Sequence, residues 1–220
     1  MVYRDTTGRA LSDYPRPSVA VDTAVLTVSG GELQVVLVSV DGQRGLPGTF
    51  LHQGELLADA VRRSLRDKTG IVDVEPSQLH VFDALNRDDR GWVLSVAHRV
   101  TVPERQLDRL LAGAELVPIC QAHHLRYDHD EIIEQAVTEL RQEYLESPDP
   151  AHLLQEPFTL LELQRLHEAV AGTDLMRDTF RRRMQPQLLA TGQRARGVVG
   201  KPAQEYKHDD VLARRDTRTG

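Results

Sequence analysis

The chain has 220 residues, 40% of them hydrophobic and 27% charged, which is the balance of an ordinary protein with a packed core. A net charge of -6 at pH 7 argues against diffuse nucleic-acid binding, but the charge is unevenly spread. Thr173 to Gly220 holds 11 Lys and Arg against 6 Asp and Glu, whereas the remainder holds 16 against 27, the asymmetry expected when one module meets phosphates and another does not.

Ser18 to Val28 and Leu33 to Val40 are rich in Val and Leu and flank Gly30-Gly31, which predicts a β-hairpin. Glu55 to Thr69 places Leu57, Val61 and Leu65 on one helical face and stops at Gly70. Leu79 to Leu85 and Trp92 to Val102 read as a second strand pair around the polar loop Asn86 to Gly91, and Ala114 to Ile119 as a short strand. Asp128 is expected to cap a helix, with Glu131 completing a near capping box and Ile132, Ile133, Ala136 and Leu140 as the apolar face. That helix is expected to end near Ser147-Pro148. The proline-bearing stretch Ser147 to Pro157 reads as a linker, which divides the chain into residues 1–147 and 148–220.

Beyond it, Thr159 and Glu162 form a capping box, and Leu160, Leu163, Leu166 and Val170 make an apolar face that ends at Gly172. Thr173 is placed to cap a helix over roughly Asp174 to Ala190, burying Phe180, Met184 and Leu188, with Pro186 bending it or ending it early. Its other faces carry Arg177, Thr179, Arg181, Arg182 and Arg183. Helix, short glycine turn and arginine-bearing helix follow helix-turn-helix logic, with the second helix in the major groove. Gln193 to His208, carrying Arg194, Arg196 and Lys201 among glycines, reads as a two-stranded wing reaching phosphates. For each basic residue alone, the alternative is a solvated surface charge.

The lone Cys120 cannot form an intrachain disulfide. Met1 to Tyr14 is polar, unlike a signal peptide, and no run approaches the roughly 20 apolar residues of a membrane span. A cytoplasmic protein without membrane contact is expected. His123, His124, Asp128, His129 and Asp130 are metal-capable types, but their spacing fits no common zinc pattern.

Leu46 to Ile71 resembles the Nudix box, G-x5-E-x7-R-E-U-x-E-E-x-G-U with U aliphatic. Glu55, Arg63, Leu65, Gly70 and Ile71 match, as do the flanking Leu46-Pro47-Gly48 and Gly54. Thr49 replaces the first glycine, Ser64 the glutamate after the arginine, and Asp67 and Lys68 the later glutamates. In active members of that family this helix face holds magnesium or manganese. Divalent cations need several oxygen ligands, and a hydroxyl, one carboxylate and an ammonium are a poor set. No catalytic residue, metal site or cofactor is therefore assigned. Carboxylates elsewhere, such as Glu104 or Glu115, are the alternative source of ligands. Arg87, Asp88, Arg90, Gly91, Ser95, Val96 and Ala97 match a segment common in Nudix proteins of the ADP-ribose pyrophosphatase type, with Trp92 replacing a family arginine. Arg87 and Arg90 are candidates for a diphosphate, Trp92 for a base, Lys68 for a ligand phosphate, and Glu55 and Arg63 complete the ligand-binding set. The alternative for the arginines is a plain exposed turn.

Most of the chain is similar to the NrtR family, Nudix-related transcriptional regulators of NAD metabolism. The similarity is clearest at Tyr127 to Ile133, Glu156 to Gln164, Phe180 to Met184 and Gly200 to Tyr206. It implies an α+β fold, a Nudix-like α/β/α sandwich followed by a mainly α winged helix-turn-helix domain. It also implies a homodimer on an inverted-repeat operator in double-stranded DNA, with ADP-ribose or a related NAD metabolite as effector. An active pyrophosphatase, a sugar-responsive regulator and a module binding an acidic protein partner are the competing readings.

Overall fold

The computed structural model describes residues 3–40, 42–195 and 202–209. The predicted hairpin is β1 (Ser18–Ser29) and β2 (Glu32–Val40), antiparallel with Leu26 opposite Val35. Gly30 and Gly31 both turn through positive φ, which glycine adopts without a Cβ clash. After β3 (Gln43–Gly45) and β4 (Gly48–Phe50) comes α1 (Leu57–Thr69), closed by Gly70 in the left-handed conformation. β5 (Ser77–Phe82), β6 (Val93–Thr101) and β7 (Ala114–Pro118) complete a sheet ordered β3-β2-β1-β6-β5, with β4 on β1 and β7 on β2. β1 runs parallel to β6, from Ser18 opposite Val93 to Leu26 opposite Thr101.

β1 is buried on both faces, so its sequence is a continuous apolar run rather than an alternation. Val21 and Val25 face Val61 and Leu65 of α1. Ala24 and Leu26 face Ile132, Ala136 and Leu140 of α2 (His129–Glu146). The result is an α/β/α sandwich.

The C-terminal part holds β8 (Phe158–Thr159), α3 (Leu160–Ala171), α4 (Arg177–Met184), β9 (Leu188–Arg194) and β10 (Gln204–His208), with the strands ordered β8-β10-β9. It is a winged helix with a small core of Phe158, Leu163, Phe180, Met184, Leu188 and Tyr206. The Thr159 capping box and the Gly172 cap are both formed. Leu166 and Val170 of α3 do not belong to that small core. They pack with Leu140 and Tyr144 of α2 into the core of the sandwich. Among the described residues no helix is long and apolar enough to cross a membrane.

Three expectations are corrected. Asp128 precedes α2 but its side chain makes no capping bond; its carboxylate is taken by Arg87 instead. Thr173 caps nothing, because Glu168 and Gln164 of α3 hold the backbone of Leu175 and delay the next helix to Arg177, after Met176. That helix stops at Met184, where Pro186 enters a 3-10 turn over Gln185–Gln187, and Leu188 reaches the core from a strand.

Candidate functional site

A cleft of about 240 Å3 lies between β1, the β3–β4 turn, the last turn of α1, the loop after β5 and the loop entering α2. Four cations line it, Lys68, Arg87, Arg90 and Arg126, against the two carboxylates of Asp22 and Asp88. Two glycines make room for its floor. A Cβ at Gly48 would lie 2.0 Å from the Asp22 carboxylate, and one at Gly45 would lie 2.8 Å from His129 Nδ1.

Arg87 does not sit on an open turn. Its side chain is 2% exposed, and its Nε donates to Asp128 at 2.6 Å while its Nη2 lies 3.5 Å from Asp22. Asp22 also accepts from the Ser95 hydroxyl at 2.6 Å and lies 3.5 Å from His129 Nε2. Burial pushes the Asp22 carboxyl up, but His129, Ser95 and Arg87 outweigh it and hold the group below its usual range. Arg90 forms the rim. It makes a two-point pair with Asp88, Nε at 2.8 Å and Nη2 at 2.6 Å, and its guanidinium lies 5.0 Å from the Phe50 ring centre and 5.3 Å from that of Tyr127.

The box helix turns a different chemistry toward this space. Lys68 lines the cleft, with Nζ donating to the Gly48 carbonyl. Burial lowers its pKa, and Arg90 and Arg126 act in the same direction against Asp22. Ser64 is 2% exposed and its hydroxyl has no hydrogen-bond partner among the described residues. Asp67 is exposed and paired with Arg66. The expected shared face of 64, 67 and 68 thus opens onto three different surroundings. Glu55 and Arg63 bind each other at 2.7 and 2.8 Å outside the cleft lining, and that contact lowers the Glu55 pKa to about 2. Trp92 is 48% exposed and also lies outside the lining.

Glu104 takes the Ser29 hydroxyl, and Glu115 lies 3.7 Å from Arg44. The histidine cluster before α2 is dispersed. His129 is buried, while Asp130 accepts the backbone N–H groups of His124 and Leu125. Among the described residues no three His, Cys, Asp or Glu side chains converge as a metal site.

On the winged helix, burial of Phe180 and Met184 leaves Arg177, Thr179, Arg181, Arg182 and Arg183 exposed on α4. Gln185 accepts from Arg181 Nε at 2.9 Å and donates to the Tyr206 hydroxyl at 3.0 Å, which ties α4 to the wing. Arg194 is exposed at the end of β9. Arg196 and Lys201 lie outside the described residues.

Residues 150–208 match the family model of the NrtR DNA-binding winged helix domain. Over 209 residues the chain is 31% identical to the ADPR responsive transcriptional repressor NtrR of Acinetobacter baylyi, covering 89% of this chain and 84% of that one. The chain belongs to the NrtR family. The crystal structure of Shewanella oneidensis NrtR complexed with a 27mer DNA matches this NrtR-family chain with a TM-score of 0.76 at 32% identity, covering 89% of this chain and 95% of that one. The Nudix domain of the same protein, cocrystallised with ADP ribose, matches with a TM-score of 0.53 at 26% identity over 61% of this chain and 95% of that one. Over 130 residues the chain is 30% identical to an ADP-ribose pyrophosphatase of Methanocaldococcus jannaschii, covering 54% of this chain and 73% of that one.

Sequence reasoning did not assign Asp22, Phe50, Arg126, Tyr127 or His129 to the cleft of this NrtR-family protein. The Tyr127 to Ile133 element carried the signal, because it is one of the segments most similar to the family. Its use was hidden by reading Asp128 as a helix cap.

Proposed function

We propose that this chain is a DNA-binding transcriptional repressor that senses ADP-ribose through residues 1–147 and reads an operator through residues 148–220. The observation that carries the reading is the cleft itself. Where a Nudix enzyme needs carboxylates around a dication, this cleft gathers Lys68, Arg90 and Arg126. Such a site suits a diphosphate, through charge-assisted hydrogen bonds, and repels the metal needed to cleave one. The names of the Acinetobacter and Shewanella relatives, the first responsive to ADPR and the second crystallised with DNA and with ADP ribose, support the same assignment.

In this reading Lys68, Arg90 and Arg126 face the diphosphate, with Phe50 and Tyr127 as flat apolar walls. Glu55 and Arg63 support the fold of the box loop, and Trp92 plays no part in the cleft. Arg177, Thr179, Arg181 and Arg182 meet base edges in the major groove, and Arg183 and Arg194 meet phosphates. Operator DNA is an inverted repeat bound by a homodimer, since two-fold DNA symmetry mirrors two-fold protein symmetry. The protein works in the cytoplasm and turns over no substrate.

The test is to select bound genomic fragments, then measure operator binding by fluorescence anisotropy as ADP-ribose is added. Specific binding that ADP-ribose weakens supports the reading; binding indifferent to millimolar ADP-ribose refutes the effector. The pyrophosphatase reading is checked beside it by AMP release with magnesium or manganese. Turnover on the order of 1 per second would establish an enzyme.

A further inference from the structure

α2 begins in the cleft and ends against the DNA-reading part. Its 18 residues span about 27 Å at 1.5 Å per residue. At the cleft end, two buried donors, Arg87 Nη2 and His129 Nε2, make no hydrogen bond among the described residues; each lies 3.5 Å from the Asp22 carboxylate, longer than a good hydrogen bond. Both side chains line the cleft and are at most 5% exposed. His129 Nδ1 accepts the Leu46 backbone N–H at 3.0 Å. In the neutral ring Nε2 therefore carries the proton and donates. Donors held only by this distant carboxylate are poorly satisfied, and a ligand oxygen within hydrogen-bond reach of both completes them. His129 is the first residue of α2, and the other arm of Arg87 holds Asp128, the residue before it. A ligand oxygen on the floor thus acts directly on the start of this helix.

At the far end, Tyr144 is a buried joint, 3% exposed. Its hydroxyl donates to Asp149 at 2.7 Å. Asp149 is itself 2% exposed, accepts the backbone N–H groups of Leu153 and Leu154, and lies 3.3 Å from His208 Nε2 at the end of β10. The Tyr144 ring stands edge-on to His167 of α3, 5.0 Å between centres, and His167 stands edge-on to Phe180 of α4 at 4.9 Å. One residue of α2 therefore touches both routes into the reader, the wing strand through Asp149 and the arginine helix through His167. Arg141, one turn earlier, donates to the Val170 carbonyl of α3 at 2.9 Å.

We propose that α2 is the lever that carries effector occupancy to the DNA-reading domain, entering at His129 and the Arg87–Asp128 pair and leaving at Tyr144. The proposal rests on the sensor reading above and adds the route of regulation. A ligand shifts an equilibrium only by the difference in its free energy with the two states. The floor donors supply that difference: they meet the ligand oxygen in one placement of α2 and lose it in another. Packed helices move between discrete arrangements rather than bending continuously, so a small displacement at the cleft reaches the joint.

The experiment measures operator Kd with and without saturating ADP-ribose, and ADP-ribose Kd with and without operator, in the full chain and in Tyr144→Phe. The variant keeps the ring and loses only the hydroxyl. Expected is a wild-type coupling factor on the order of 10–100, equal in both directions, falling to a few-fold in Tyr144→Phe while each separate affinity stays within about threefold. Hydrogen exchange of the unaltered protein is the second readout: ADP-ribose is expected to change protection at residues 144–154 and 177–184 as well as around the cleft. Full coupling in Tyr144→Phe, or exchange changes confined to the cleft, overturns the lever and leaves the sensor reading standing. No coupling in the wild type overturns both.

Discussion

Replacing Lys68 by alanine is expected to weaken ADP-ribose binding while leaving operator binding without ligand unchanged. The ammonium stands at the cleft rim beside the Gly48 carbonyl, with Arg90 and Arg126 nearby. A phosphate charge about 5 Å away gains roughly 0.8 kcal/mol from it at the dielectric of water and roughly 3.3 kcal/mol at an effective dielectric of 20. Lys68 is exposed, so the lower half of that range applies, about 1–2 kcal/mol. That is a five- to thirtyfold rise in Kd. Lys68→Glu changes the charge by two and is expected to cost about twice as much free energy. Arg66→Ala is the control, since Arg66 is paired with Asp67 away from the cleft. Calorimetric titration at 50 and 300 mM salt gives the answer, because an exposed charge pair weakens with salt and the alanine variant has less to lose. Affinities of Lys68→Ala and wild type within twofold of each other at low salt would refute the assignment of Lys68 to the diphosphate.

On the DNA side, Arg181→Ala with Arg182→Ala is expected to lose about one to three kcal/mol per base contact, roughly five- to 150-fold for each, in anisotropy with operator. Arg194→Ala is expected to weaken all sequences alike and reduce the salt slope by about 0.9. Adding Ser64→Glu to Lys68→Glu is expected to lower the melting temperature rather than build a metal site, because Ser64 is 2% exposed and a carboxylate there is buried without partners; a magnesium-dependent rise in melting temperature would contradict this. His208 joins Asp149 and Glu156 to the end of the wing. Burial lowers its pKa, but hydrogen bonds to both carboxylates outweigh that and raise it above 6.5. Its contribution is then complete below pH 6.5 and fades as pH rises through the raised value. Thermal melts of wild type and His208→Gln are expected to converge toward alkaline pH, and a gap that widens instead would reverse the sign.

What the sequence revealed was local. The hairpin was legible because two apolar runs flank a glycine pair, α1 because its period and Gly70 agree, and α3 because Thr159 and Glu162 cap it within three residues of each other. What stayed hidden was non-local. β8 is two residues long and exists only because β10, far along the chain, pairs with it. Arg87 read as a loop arginine free for a diphosphate or for solvent, since its partners Asp22 and Asp128 lie on other elements and nothing near it in sequence announces them. For the same reason Asp128 looked like a cap, the locally sensible use of an aspartate before a helix, and tertiary pairing took it instead.

The same non-local packing decides how the two parts of the chain act on one another. Among the described residues the winged helix has six buried side chains in its own core, while Leu166 and Val170 on the back of α3 enter the core of the sandwich beside Leu140 and Tyr144. A reader on a loose tether would keep its DNA affinity whatever filled the cleft, because ligand and DNA would share no element whose position both prefer. A reader sharing a core cannot move without disturbing α2, and α2 cannot shift at His129 without disturbing the shared core. The proline-bearing segment after Ser147 therefore serves less as a spacer than as a brace, with Asp149 at its start gathering Tyr144, the turn at Leu153 and Leu154, and the end of the wing around one buried carboxylate. On the proposed reading, a cleft lined by cations holds a diphosphate, and this shared core is the element through which its binding is carried to the reader.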